Sequence, residues 1–415
     1  MVKSSRSLIR AKYDFKAEVL DIIVSGQSAI DSLTAYQVKD IDEADQFIRG
    51  YGFDLDNPVE RAEVLGNFHE ALNFIRKFFL QPDNPDGLKL EIPRKILELT
   101  DIRELFLMVS ANFPGQFTEP QGQTLQSWSC SILKIMHTIA HIDKDVRSPY
   151  FTDIQKQIFD RFYKLIHRDH EGELLLGESA TDPLRVDLSA FETKPKKSRE
   201  SLIIKLLHKP ENVAEDIFDR VGIRFVTHNA LDCLRVIKYL KDKMLVMPPN
   251  IKPSRSRNTL IQMDTFKVQQ EALLKRGDQQ ELSESEIRNQ LLLAIKLPTN
   301  IKDNPHSSEF YRAIQFTCRQ LIKLKNPLFD EIKELKNLAK GKSLDENLLK
   351  TVERIDLRYL QREIRFFYPF EIQVVDRESS EENEKGQSAH SEYKKAQIQT
   401  ALKRVMGNLF DVVRQ

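Results

Sequence analysis

This chain has few of the residues that mark a specialised chemistry. It contains three cysteines, Cys130, Cys233 and Cys318, each isolated in sequence. No zinc-ligand spacing and no disulfide framework can be built from them, so they read as small buried side chains. That usage suits a reducing, cytoplasmic compartment. No apolar run approaches the roughly 20 residues that span a bilayer, and no membrane partner is expected. The N-terminus, Met1 to Arg10, is basic but lacks the apolar core and cleavage site of a secretion signal. An excess of charge is missing too. The formal net charge is +1, which removes any global attraction to nucleic acid.

What is present is a 415-residue chain, 40% hydrophobic and 30% charged, long enough for two domains with sizeable cores. From Lys12 to His170 the pattern is helical. An amphipathic run starts at Ala17 to Ile23. In Glu60 to Leu80, Leu65, Phe68, Leu72, Ile75 and Phe79 recur at helical spacing. Asp56-Asn57-Pro58 is a start signal for that helix, and Pro82 a stop. Further helices are expected from Ile92 to Asn112, Gln123 to Ile142 and Thr152 to His167. Near Leu184 the pattern changes to strands: Leu184 to Phe191, Gly222 to Thr227, Leu291 to Leu297, Phe310 to Leu321 and Phe366 to Val375. Helices are expected at Ser201 to His208, Ala230 to Lys243 and Ser388 to Met406. Ser379 to Gly386 is polar and reads as a mobile loop.

The fold class is therefore α+β. An all-helical domain of residues 1–180 precedes a mixed β-sheet flanked by helices in residues 181–415. Helical insertions at about 264–290 and 326–360 do not build the sheet.

Four constellations carry chemistry. Phe370, Ile372 and Val374 alternate onto one face of a strand, so Glu371 and Gln373 share the other. A carboxylate inside an apolar strand needs a cationic or proton-transfer partner. Lys194, Lys196, Lys197, Arg199, Lys205, His208 and Lys209 form a basic cluster able to cradle a polyphosphate, with Ser201 and Lys205 on one helix face. Asp219 precedes Gly222 and Arg224 at a strand entry. Tyr311 and Arg312 follow a loop through His306, and an aromatic beside an arginine can stack a base and bind its phosphate.

This ordered set resembles the synthetase domain of the RelA/SpoT family, the alarmone synthetases. The residues that carry the resemblance are Lys197-Ser198, Ser201 and Lys205; Asp219, Gly222, Ile223 and Arg224; Tyr311 and Thr317; Glu371 and Gln373; and Glu384, Gly386, Ala389, His390, Tyr393 and Lys394. It covers about the C-terminal 230 residues. It departs from the family pattern at Pro195, Glu309-Phe310, Gln315 and Val375.

The resemblance implies a RelA/SpoT-like, nucleotidyltransferase-type sheet that transfers the β,γ-pyrophosphate of ATP to the 3′-hydroxyl of a guanosine nucleotide. It implies Mg²⁺ held by Asp219 and Glu371, with Glu371 also orienting or deprotonating the hydroxyl. ATP would meet Lys197, Ser201, Lys205 and Arg224. The acceptor would meet Tyr311, Arg312, Gln373, His390 and Lys394. Two alternatives stay open: a toxin-like pyrophosphokinase acting on the 3′ end of tRNA, and an inactive nucleotide-binding regulator.

The helical half lacks the adjacent His-Asp pair of the family's hydrolase domain. His137 and His141 stand four apart on a helix without an evident third ligand, so neither hydrolysis nor a metal centre is expected there. That half is a candidate for binding a protein partner or a second copy of the chain.

Overall fold

The computed structural model describes residues 38–81, 83–112, 118–145, 147–194, 197–208, 217, 220–280, 282–298, 311–341, 346–356, 361–385 and 390–413. The helices among them are α1 (Ile41–Tyr51), α2 (Pro58–Phe79), α3 (Arg94–Leu97), α4 (Ile102–Val109), α5 (Glu119–Asp143), α6 (Phe151–Tyr163), α7 (Arg199–Leu207), α8 (Ala230–Asp242), α9 (Met263–Gln280), α10 (Glu284–Leu293), α11 (Pro327–Gly341), α12 (Glu346–Arg354), α13 (Arg377–Lys385) and α14 (His390–Val413). The strands are β1 (Ile166–Arg168), β2 (Leu174–Leu176), β3 (Val186–Thr193), β4 (Gly222–Thr227), β5 (Arg257–Asn258), β6 (Ile314–Lys325) and β7 (Glu363–Asp376). The expected helix at Ala17 to Ile23 and the loop through His306 lie outside the described residues.

The chain forms two compact units, each discontinuous in sequence. The first takes Met1–Asp145, Lys197–Ile217 and Ser391–Gln415; the second takes Val146–Lys196 and Phe218–His390. This differs from a single boundary near residue 180, and the reason is apolar burial. Ile203, Ile204, Leu206 and Leu207 of α7, with Leu402, Val405 and Met406 of α14, share one buried cluster with Phe68, Ile75, Leu105 and Ile132. Backbone groups of α7 and α14 are also tied in. Arg404 donates to the Leu207 carbonyl at 2.9 Å, and Ser131 Oγ donates to the Val405 carbonyl at 2.9 Å.

Local signals place the helices of this first unit. Asn57 accepts from the Val59 amide ahead of Pro58, satisfying a donor that has no partner within α2. Asp40 caps α1 in the same way. Gly52 ends α1 at φ +108°, a left-handed conformation that glycine adopts without Cβ strain.

The second unit is built on a seven-stranded mixed sheet of order β1-β2-β3-β4-β7-β6-β5. β4 and β7 pair in parallel, while β3 with β4 and β6 with β7 are antiparallel. Ile223, Phe225, Phe316, Phe370, Ile372 and Val374 bury one face of the sheet in a cluster with Ile154 and Phe162 of α6 and Val236 and Leu240 of α8. The α+β class stands.

Four local expectations give way. The run from Ile92 to Asn112 holds two helices, α3 and α4, and the one from Thr152 to His167 ends at Tyr163 ahead of β1. Leu291 to Leu297 is not a strand. Ser283 and Glu286 form a capping box that starts α10, and the helix runs through Leu293. Ser379 to Lys385 is helical rather than a loop: α13 opens with the Ser379 amide donating to Asp376 Oδ1 at 2.8 Å. Short strands without a sequence signal also form at β1, β2 and β5. Runs of two or three residues are too short to show a two-residue period.

Candidate functional site

The second face of the sheet is polar, and the strand register shows what it collects. Gly222 lies opposite Glu371, which lies opposite Thr317; Arg224 lies opposite Gln373, which lies opposite Gln315. Side chains two apart on a strand share a face. Gly222, Arg224, Glu371, Gln373, Gln315 and Thr317 therefore all face away from the apolar cluster. Outward from Arg224 the row reaches Glu192 on β3, and outward from Gln315 it reaches Arg257 on β5.

Glu371 is buried, with 7% of its surface exposed. A buried carboxylate needs hydrogen-bonded partners, and it has them. Lys194 Nζ reaches Oε1 at 2.5 Å and Gln315 Nε2 reaches Oε2 at 2.5 Å. Lys194 arrives from just beyond β3, 177 residues away in the chain. Its backbone amide donates to the Gly222 carbonyl at 2.8 Å, and its stem then crosses the Gly222 Cα. A Cβ at position 222 would stand 2.6 Å from Lys194 Cδ. Glycine here makes room for the lysine.

Arg224 is held from several directions. It donates to Ser380 Oγ at 2.8 Å and to Glu384 Oε1 at 3.1 Å, both on α13, and lies 3.4 Å from Glu192. Gln373 Nε2 donates to the Tyr311 hydroxyl. Burial pushes the Tyr311 phenol above its ordinary value. Nearby Glu371 acts in the same direction, while Lys194, Arg224 and the Gln373 bond act against it. Arg312 is positioned through its backbone: its amide donates to Asn383 Oδ1 at 3.2 Å, and Asn383 Nδ2 donates to its carbonyl at 2.9 Å.

Of the residues expected to act, Arg224, Tyr311, Arg312, Glu371 and Gln373 belong to the second unit, and the first, second, fourth and fifth gather on or beside the polar face. Lys197, Ser201 and Lys205 lie on or before α7 of the first unit, and Lys394 on α14 of the same unit. There Ser198 caps α7, and Ser201 Oγ lies 2.9 Å from Ser198 Oγ. Arg199 of the basic cluster is engaged by Glu70 and Asp143. His208 lies 3.4 Å from Gln397, which donates to the Tyr393 hydroxyl at 3.0 Å. Asp219, Gly386, Ala389 and the side chain of His390 lie outside the described residues.

Lys194 appeared in the sequence only as one member of a basic run. Nothing in that run marks it as the partner of Glu371. Gln315 appeared as a departure from the family pattern. Alternation with Thr317 would have set it on the Glu371 face, but its strand partner could not be read from the sequence.

A Mg²⁺ ion takes oxygen ligands. Both oxygens of Glu371 carry nitrogen donors, and among the described residues no group of three His, Cys, Asp or Glu side chains gathers to hold a metal. With Lys194 where it stands, the described donor set does not fit Mg²⁺ at Glu371. No protein-family model, curated protein or solved structure matches this chain. Among the described residues no helix is long and apolar enough to cross a membrane.

Proposed function

We propose that the polar face of the second unit binds a nucleotide polyphosphate, and that the chain is an ATP-dependent pyrophosphokinase of the RelA/SpoT type acting on a guanosine nucleotide. One observation carries this reading: the parallel pairing of β4 with β7. It sets Gly222-Ile-Arg224 beside Glu371-Ile-Gln373 residue for residue, so two distant motifs of the resemblance become one surface with a carboxylate, an arginine, an amide and a phenol.

In the reaction the acceptor 3′-hydroxyl attacks the β-phosphorus of ATP. The bond between that phosphorus and the α,β-bridging oxygen breaks, and AMP leaves with the electron pair. Positioning and charge stabilisation carry most of such a transfer. Arg224 presents a planar fork suited to phosphate oxygens. Tyr311 and Gln373 offer a stacking surface and an amide to the acceptor. Glu371 takes the hydroxyl proton once Lys194 has turned from it to the phosphates.

A second reading, a nucleotide-binding regulator without turnover, draws support from the ion pair already formed at Glu371. Labelled ATP incubated with guanosine, adenosine and tRNA acceptors separates the two. Release of AMP that Glu371→Gln abolishes supports the enzyme. Saturable nucleotide binding without AMP supports the regulator, and the absence of both overturns the site.

A further inference from the structure

We infer that Lys194 is a built-in cation for Glu371, occupying the place a divalent metal would need and keeping this carboxylate metal-free in the nucleotide-free protein. The inference rests on the polar face being the site described above, and gives Lys194 a role toward Glu371.

The geometry argues for a dedicated arrangement. The ammonium is 2.5 Å from Glu371 Oε1, and the carboxylate side chain is 9% exposed against 34% for the lysine. A fully exposed pair would exchange freely with solvent ions. Here the carboxylate is enclosed and the lysine is the more exposed partner. Both ends of the contact are fixed by the backbone of β4 and the residue before it: the Lys194 amide donates to the Gly222 carbonyl at 2.8 Å, and the Glu371 amide donates to the Val221 carbonyl at 2.9 Å. Between those anchors the lysine stem crosses residue 222, where a Cβ would come within 2.6 Å of Cδ, 3.1 Å of Cγ and 3.3 Å of Cε. Gln315 closes the second oxygen.

A divalent ion approaching Glu371 would have to displace the ammonium or accept its repulsion at close range. A lysine is also the cation best able to leave. It is a point charge with three donors on a flexible stem, without the bidentate grip of an arginine. A ligand carrying several phosphate charges is the class that would draw it off, which couples occupancy of the polar face to release of the Glu371 carboxylate.

The test uses Mn²⁺ as the probe, read by the paramagnetic signal of the free ion, on nucleotide-free full-length protein. Wild type is expected to show no Mn²⁺ site that depends on Glu371. Lys194→Met is expected to gain one, at least about tenfold tighter than any in wild type by the removal of one charge repulsion, and Lys194→Met with Glu371→Gln is expected to lose it. Gly222→Ala provides a second route that keeps the lysine's charge. The three nearest contacts of the added methyl are all on the flexible lysine stem, so the strand is retained while the ammonium is pushed aside, and the same gain is expected if Lys194→Met does not fold. A wild-type site that Glu371→Gln removes overturns the inference. So does the absence of any gain in a folded Lys194→Met or Gly222→Ala protein. Neither measurement involves turnover, so failure of the pyrophosphokinase reading shows instead as a missing AMP product.

Discussion

Arg224 of β4 and Glu384 of α13 meet at 3.1 Å, with the arginine side chain 14% exposed and the glutamate 59%. The residue the resemblance assigns to phosphate is thus partly neutralised by a helix that follows the Glu371 strand directly. Because Glu384 is the solvent-facing partner, it is the one that can be removed at little cost. Solvent screening on the glutamate side keeps such a pair at about 0–1 kcal/mol. Glu384→Gln should therefore tighten binding of a nucleoside triphosphate by up to about fivefold, by the same energy range. Arg224→Lys should weaken binding by losing the bidentate fork. Calorimetric titration of both variants against wild type checks this; an unchanged affinity in both removes Arg224 from the ligand surface.

In the first unit the Tyr51 hydroxyl lies 2.6 Å from His137 Nδ1, and the His141 ring packs on His137 with centroids 4.4 Å apart. Burial, then the neighbouring His141, lowers the His137 pKa from 6.5 to about 4. The unfolded chain takes up this proton more readily than the folded one between those values. The contribution to stability is therefore complete above about pH 6.5 and is lost as pH falls through about 4. Thermal unfolding across that range should show a slope that His137→Gln flattens, with a difference of about 3 kcal/mol between its ends. Identical slopes in the two proteins would remove His137 as the cause.

Cys130, Cys233 and Cys318 are all buried and none is in a disulfide, and burial raises each thiol pKa, that of Cys233 to about 12. The thiolate is the reactive form. Iodoacetamide at pH 8 should therefore label the native protein slowly and the urea-unfolded protein at all three positions, as read by mass spectrometry. Rapid labelling of native Cys318 would place it outside the β6–β7 core.

Phe370 and Phe162 are fully buried, and their rings pack at 5.9 Å. They join β7 to α6 beneath the Glu371 face. Phe370→Ala should cost about 3–5 kcal/mol in urea unfolding. It should also reduce nucleotide binding, because Glu371 and the residues paired with β7 lose their support. Phe162→Ala should cost a similar amount of stability with a smaller effect on binding.

Much of this was legible locally. Periodicity located α2 and α5, and Asn57-Pro58 marked the start of α2 because caps act through bonds within a few residues. The Gly222 to Thr227 strand was read to its ends, and alternation correctly set Glu371 and Gln373 opposite Phe370, Ile372 and Val374. Local composition misled at Ser379 to Lys385. The chain there is polar enough to be a loop, yet contacts from Arg224 and Arg312 hold it as α13. It misled again at Leu291 to Leu297, where a leucine run suits a strand as well as the end of a helix.

By itself the sequence determined the elements, their apolar and polar faces, and the chemical groups available: one carboxylate in an apolar strand, an arginine two residues past a glycine, and a phenol near an amide. Only the tertiary structure decided which of these meet. Strand pairing set Gly222 and Thr317 beside Glu371, burial drew α7 and α14 into the first unit, and the path opened by a missing Cβ brought Lys194 to the carboxylate. Periodicity and capping depend on neighbours along the chain, whereas the cation a buried carboxylate acquires depends on what the fold carries past it. In this protein that is a lysine 177 residues away in the chain.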